Sequence, residues 1–291
     1  MRAEIVRTET SDGIRLDGAF LAPQIAKTDD LGIDAVLLVH GTGANFYSSS
    51  LLKHLALAFR DSGIAAVIAN TRGRDLICTA STRDGPKLLG AAYEIVSDCV
   101  YDLPAWLDFL RERGYSRLAL VGHSLGAIKS VFALRKSPRD DVVRLVAISP
   151  ARLSYSHFVA SSKAEVFLED FQTAQACVDR GAGEDLLQIK FPIPYLVTAG
   201  GYLDKYGPHE NYNVLKYVHE LDIPTLFTFG SEELTAHPAF RGLPEAIAEA
   251  VDEESQDVTT GVIAGADHFY GGTMNELWQR VRKWLSKRAE S

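Results

Sequence analysis

The chain has 291 residues, of which 46% are hydrophobic and 23% charged, and a formal net charge of −8. Such a length admits one large core or two ordinary ones, and the composition is that of a water-soluble globular protein. The negative balance and the lack of a Lys/Arg-rich run exclude nucleic acid as an expected partner, because a phosphate-tracking surface needs clustered positive charge.

Cys78, Cys99 and Cys177 are widely spaced and make neither a metal pattern nor a disulfide framework. Cys99 lies on an apolar helical stripe and reads as core packing. Residues 1–7 are charged and carry no apolar leader, and no uncharged run is long enough to span a bilayer. A cytoplasmic protein without membrane insertion is therefore expected. Its oligomeric state is not readable from the chain.

Residues 4–9 and 14–22 read as two antiparallel strands joined by Ser11-Asp12-Gly13, since Asp-Gly is a hairpin turn signal. Residues 22–32 form a polar loop. A short apolar run at 34–39 ends at His40-Gly41-Thr42-Gly43, and a helix over 47–61 carries Leu51, Leu52, Leu55 and Phe59 on one face before Gly63 stops it. The next strand is 64–69, followed by Asn70-Thr71-Arg72-Gly73-Arg74-Asp75 and a polar loop out to Gly90. Apolar residues at helical spacing predict a long helix over 92–113, with Pro104 marking a kink or a new first turn. A strand over 117–121, a helix over 127–136 and a strand over 142–148 come next.

This alternation, with near-continuous apolar strands, predicts an α/β fold built on a mostly parallel, doubly wound sheet covered on both faces, with an antiparallel hairpin at its start. Right-handed crossovers put the strand C-termini on one edge, where such sheets bind ligands. The rhythm breaks over 151–222, a stretch rich in Tyr, Phe, His and Gly. Helices are expected near 162–180 and 209–221, with a strand near 194–197. We read 151–222 as a cap inserted into a core formed by 1–150 and 223–291. The alternation resumes with a strand at 224–229, the turn Gly230-Ser231-Glu232-Glu233, a helix near 243–253, a strand at 258–263 and a C-terminal helix presenting Met274, Leu277, Trp278, Val281 and Leu285 on one face.

The motif at the centre of this layout is Gly122-His123-Ser124-Leu125-Gly126, a G-x-S-x-G pattern between strand and helix. The glycines let helix and strand approach, and the serine is held with its Oγ projecting. A serine hydroxyl needs a base in reach and an acid to orient that base. In this architecture the order is Ser, then Asp or Glu, then His. His268 alone among the eight histidines follows the last strand. Glu232 and Glu233 both follow the strand before it. Glu233 is preferred because the fourth position of such a turn points toward the histidine, and Asp267 reads as structural. Backbone N–H groups of Leu125 and Thr42 are the expected oxyanion donors, with Gly41 and Gly43 permitting close approach. Tyr47, Arg72 and Tyr155 are candidate substrate contacts. Arg72 has a competing reading as a partner of Asp75 or of an acid in the cap, and Tyr155 one as part of the cap's own small core.

With these residues in place, the chain resembles the α/β-hydrolase superfamily over nearly its whole length. The matching pieces are His40-Gly41-Thr42-Gly43, Gly122-His123-Ser124-Leu125-Gly126, Gly230-Ser231-Glu232-Glu233 and Asp267-His268. Asn45-Phe46-Tyr47, Asn70-Thr71-Arg72-Gly73, Ala92-Tyr93-Glu94 and Tyr206-Gly207-Pro208 are further similar to a branch that includes fungal siderophore-ester hydrolases. The resemblance implies Ser124, His268 and an acidic third member acting without metal or cofactor. Most members carry Asp as that acid, whereas this chain offers glutamates. The expected function is a serine hydrolase cleaving a small-molecule carboxylic ester through an acyl-enzyme. The alternatives are cleavage of an amide, lactone, thioester or carbon–carbon bond on the same triad, or a ligand receptor that keeps the fold without catalysis.

Overall fold

The computed structural model describes residues 3–25, 29–251 and 256–289. β1 (Glu4–Glu9) and β2 (Arg15–Leu21) form the expected antiparallel hairpin. β3 (Ala35–Val39), α1 (Ser50–Asp61) and β4 (Ala65–Ala69) follow. Every residue of β3 and β4 is buried, as strands covered on both faces require. β5 (Cys78–Thr82) and β6 (Gly85–Leu89) come next, then α2 (Cys99–Glu112), β7 (Leu118–His123), α3 (Leu125–Lys136) and β8 (Val142–Ile148).

The long excursion after β8 contains α4 (Tyr155–Val159), α5 (Ala164–Asp179), β9 (Leu186–Ile189), β10 (Tyr195–Thr198) and α6 (Ala199–Tyr206), with 3-10 turns at Val214–Lys216 and Val218–Glu220. The chain then returns through β11 (Thr225–Gly230), α7 (Ser231–Ala236), α8 (Leu243–Ala250), β12 (Val258–Ile263) and α9 (Met274–Ala289).

Eight strands form the main sheet in the order β1-β2-β4-β3-β7-β8-β11-β12. β1, β2 and β4 pair antiparallel, and every pair from β4 to β12 is parallel. Two apolar layers cover the sheet. One gathers α2, α3 and the excursion around Trp106, Leu110, Ile128 and Phe158. The other gathers α1 and α9 around Leu55, Phe59, Leu277 and Leu285. Strand C-termini of β3, β4, β7, β8, β11 and β12 therefore share one rim, which carries His40, Asn70, Ser124, Ser149, Ser231 and the loop to His268.

Several expectations are corrected. The stretch expected as a polar loop up to Gly90 contains the β5–β6 hairpin, whose turn ends at Gly85 with φ +114°. Only Ala80 and Leu89 of its strands are buried, so its alternation is weak in sequence. The helix expected over 92–113 starts only at Cys99, after a 3-10 turn at Val96–Asp98. Upstream, Gly90, Ala91 and Ala92 donate their N–H groups to the carbonyls of Arg72, Asp75 and Leu76, so that backbone is committed to the neighbouring loop. Pro104 then falls in the second turn of a continuous α2.

In the excursion, α5 lies within the helix expected near 162–180, but 209–221 forms two 3-10 turns instead of a helix. The strand near 194–197 appears as β10, which pairs with β9 and not with the main sheet. α8 matches the helix expected near 243–253, whose positions 252 and 253 lie outside the described residues, as do 26–28 of the 22–32 loop and 1–2 of the N-terminus.

The elbow depends on close backbone contacts. A Cβ on Gly122 would stand 2.3 Å from the Gly126 carbonyl oxygen, and one on Gly126 would stand 2.3 Å from that of Val39. Ser124 itself sits at φ 56°, ψ −122°, a conformation that L-residues adopt only when the surroundings impose it. Gly126→Ala is expected to lower unfolding free energy by about 1–3 kcal/mol through overpacking, read in urea denaturation. Gly183→Ala, whose Cβ would meet only Val178 Cγ2 at 3.7 Å, serves as the control.

Candidate active site

Ser124 stands between the end of β7 and the start of α3, and its N–H donates to the Ile148 carbonyl at 2.8 Å. That bond ties the serine to the end of β8. Its Oγ lies 3.0 Å from His268 Nε2, and His268 Nδ1 lies 2.6 Å from Glu233 Oε2. The carboxylate accepts at Nδ1, which leaves Nε2 as the acceptor for the serine hydroxyl. The three predicted residues are thus joined in one hydrogen-bonded chain.

Glu233 is fully engaged although it is buried. Its Oε1 accepts from Ser149 Oγ at 2.5 Å and from the Gly230 N–H at 2.7 Å. Ser149 Oγ also stands 2.9 Å from Tyr270 Oη. A buried carboxylate needs this satisfaction, because desolvation of an unpaired one is costly. Glu232 is exposed and donates only its backbone N–H, to the Ala266 carbonyl. Asp267 Oδ1 accepts from the N–H groups of Phe269 and Gly271, both at 3.0 Å, which shapes the His268 loop.

Two histidines that flank this chain hold backbone in place. His123 Nε2 meets the His268 carbonyl oxygen at 2.8 Å, so the neutral ring donates and pins the loop that carries His268. His40 Nδ1 meets the Gly41 carbonyl at 2.8 Å, while its Nε2 accepts from the Thr71 N–H at 3.0 Å. His40 thereby fixes the Gly41 carbonyl. Among the described residues, the N–H groups of Thr42 and Leu125 have no acceptor in the protein, and both residues line the cavity beside Ser124. Leu125 opens α3, where the first N–H groups have no intrahelical partner.

The cavity has a volume of about 590 Å³ and a largely apolar wall. Leu125 and Ile128 come from α3, Leu153, Pro192 and Ile193 from the excursion, and Phe240 from the segment after α7. None of the three candidate substrate contacts lines it. Tyr47 is 66% exposed and donates its hydroxyl to Asp75 at 3.0 Å. Arg72 is 4% exposed and bonds Asp102, Asp98 and Asp12, so it anchors α2 and the hairpin turn, and its partners are neither Asp75 nor a cap acid. Tyr155 packs edge-on against Phe167 and Phe171, with centroids 5.4 and 5.0 Å away, in the excursion's aromatic cluster. Sequence reading missed Ser149 and Tyr270 as supports of Glu233. A serine placed just after a predicted strand on the shared rim was the available signal for the first. Tyr270 had none.

Burial pushes the His40 imidazole down to about 4, helped by nearby Lys129, and the His123 imidazole down to about 3, helped by His268. Both stay neutral when folded, whereas the unfolded rings titrate near 6.5. Between those values the unfolded chain binds more protons, so stability is lost as pH falls below the ordinary imidazole value. Urea denaturation is expected to show unfolding free energy declining from about pH 6.5 toward pH 4. His123→Gln, which keeps a donor for the His268 carbonyl, is expected to make that decline shallower by up to one proton.

The profile of the Alpha/beta hydrolase family matches residues 36–289. No curated protein matches the chain. Among solved structures, Est1E from Butyrivibrio proteoclasticus, also solved with ferulic acid bound, is 15% identical with a TM-score of 0.66 over 99% of each chain. GrgF, an alpha/beta hydrolase from Penicillium sp. sh18, is 14% identical with a TM-score of 0.70 over 100% of each. The Pyrococcus furiosus esterase Pf2001 is 16% identical with a TM-score of 0.66, over 98% of this chain and 91% of that one. Identities this low speak for shared fold. Together with the profile match, the parallel sheet and the serine elbow after β7, they make this chain a member of the Alpha/beta hydrolase family.

Proposed function

We propose that this protein is a serine hydrolase that cleaves a carboxylic ester of a small molecule through an acyl-enzyme. The observation that carries the reading is the chain from Ser124 Oγ through His268 to Glu233, with contacts of 3.0 and 2.6 Å, opening on an apolar cavity. Ser124 Oγ attacks the ester carbonyl carbon while His268 Nε2 takes the hydroxyl proton. The carbonyl π electrons move onto oxygen, and the Thr42 and Leu125 N–H groups receive that charge. Collapse expels the alcohol, which takes its proton from His268 and leaves Ser124 acylated. Water, deprotonated by His268, then attacks the acyl carbon. Ser124 leaves with the returned proton, and the carboxylic acid is released.

Glu233 stabilises the imidazolium that forms in each half-reaction and holds its tautomer. Its second oxygen is occupied by Ser149 and Gly230, so the carboxylate cannot swing away from the ring. Residues 151–222 act in this reading as a cap that selects the substrate, because Leu153, Pro192, Ile193 and Tyr206 contribute to the cavity wall.

Ser124→Ala is expected to abolish both hydrolysis of p-nitrophenyl butyrate and labelling by a fluorophosphonate probe; turnover surviving in that variant would sink the assignment. Glu233→Gln is expected to lower kcat by about 10³–10⁴-fold, far more than Glu232→Gln. Ser149→Ala removes one bond to the carboxylate, and steady-state kinetics should show kcat reduced about ten-fold with KM little changed.

A further inference from the structure

Behind the cavity lies a polar cluster outside the Ser124–His268–Glu233 chain. Glu94 and Lys129 form an ion pair in which both side chains are 1% exposed, and Lys129 Nζ also donates to Thr71 Oγ1 at 3.1 Å. Lys205, on α6, is the second lysine buried there, at 1% exposure. Its Nζ donates to Tyr195 Oη at 3.2 Å. Among the described residues it has no ion pair and no other hydrogen bond. Tyr195 Oη lies 3.4 Å from Tyr206 Oη, and Tyr206 lines the cavity shared with Ser124 and His268.

Proton counting shows that this chain lacks one acceptor. Lys205 donates to Tyr195, and the two phenol hydroxyls share one mutual contact in which either can be the donor. Two hydroxyl hydrogens with one mutual contact leave one hydrogen without an acceptor among the described residues, and an oxygen in the cavity beside Tyr206 would complete the chain from Lys205 through Tyr195 and Tyr206. Burial pushes both phenols well above the ordinary range, so both hydroxyls keep their hydrogens at neutral pH. Leu125, Ile128, Leu153 and Phe240 supply apolar side chains to the same cavity wall.

We propose that Tyr206 determines specificity by donating a hydrogen bond to an oxygen of the substrate away from the scissile carbonyl, so that the preferred ester carries a keto or carboxylate oxygen on its acyl or alkoxy chain and is not a plain hydrocarbon ester. A buried hydroxyl pair that is one acceptor short discriminates strongly, because a ligand lacking that acceptor leaves a buried polar group unpaired. The inference rests on the ester reading for its turnover measurement only.

The test compares p-nitrophenyl hexanoate with its 4-oxo and 5-oxo analogues, and hexyl acetate with 4-oxohexyl and 5-oxohexyl acetate. For each pair kcat/KM is measured on the wild-type protein, normalised to the rate with hydroxide, and affinity is measured by calorimetry on Ser124→Ala. At least one oxo ester is expected to lead its parent by about 10- to 100-fold. In Tyr206→Phe that ratio should collapse to within about two-fold; a purely structural role for Tyr206 would lower both members of a pair together and preserve the ratio. Equal wild-type kcat/KM and equal Ser124→Ala affinity within every pair overturns the proposal, and so does a ratio that survives Tyr206→Phe. No turnover of any ester, with an oxo preference in affinity, overturns the ester reading while supporting this one; no turnover and no preference overturns both.

Discussion

The close approach of α3 to the ends of β3 and β7 is the constraint on which the rest of the site depends. Backbone meets backbone there at Gly122 and Gly126, where any Cβ would stand 2.3 Å from a carbonyl oxygen. A tight strand-to-helix turn lifts Ser124 above the sheet at φ 56° and leaves the first N–H groups of α3 without helical partners. The same packing brings the loop after β3 alongside, since a Cβ on Gly41 would lie 2.9 Å from that of Ser124. The candidate nucleophile and both candidate anion donors are therefore set by one contact. The strain at Ser124 is held by bonds on each side, including its own N–H to Ile148.

Around that contact the rim is built from polar groups that are buried and satisfied. Glu233 bonds Ser149, Gly230 and His268. His40 and His123 are neutral and each holds a carbonyl beside the cleft, those of Gly41 and His268. Arg72 binds the carboxylates of three different segments. Unsatisfied, any of these would be expensive in a dry interior; satisfied, they lock the loops around the cleft.

Most of the core was legible in the chain because its strands are continuous apolar runs and its helices keep a 3.6-residue stripe. All eight strands of the main sheet fall where alternation of apolar runs and turn residues puts them. Ser124, Glu233 and His268 were legible for the related reason that each follows such a strand. The failures share a cause. The helix expected from Ala92 begins at Cys99 because long-range backbone bonds from the Arg72 loop claim the intervening N–H groups. The β5–β6 hairpin and the 3-10 turns of the excursion bury few side chains, so periodicity carries almost no signal for them.

The sequence by itself determined the fold class, the order of the catalytic candidates and the shared rim, since all three follow from where apolar runs end and which residue stands next. Only the tertiary structure decided what surrounds them. It buried Glu233 against His268 and left Glu232 exposed, took Arg72, Tyr47 and Tyr155 away from the cavity, and brought Ser149, Tyr270 and Tyr206 to places that no local pattern specifies. Contacts between residues far apart in the chain depend on how packed layers come to rest against each other. A linear pattern records which face is apolar, but not which partner meets it.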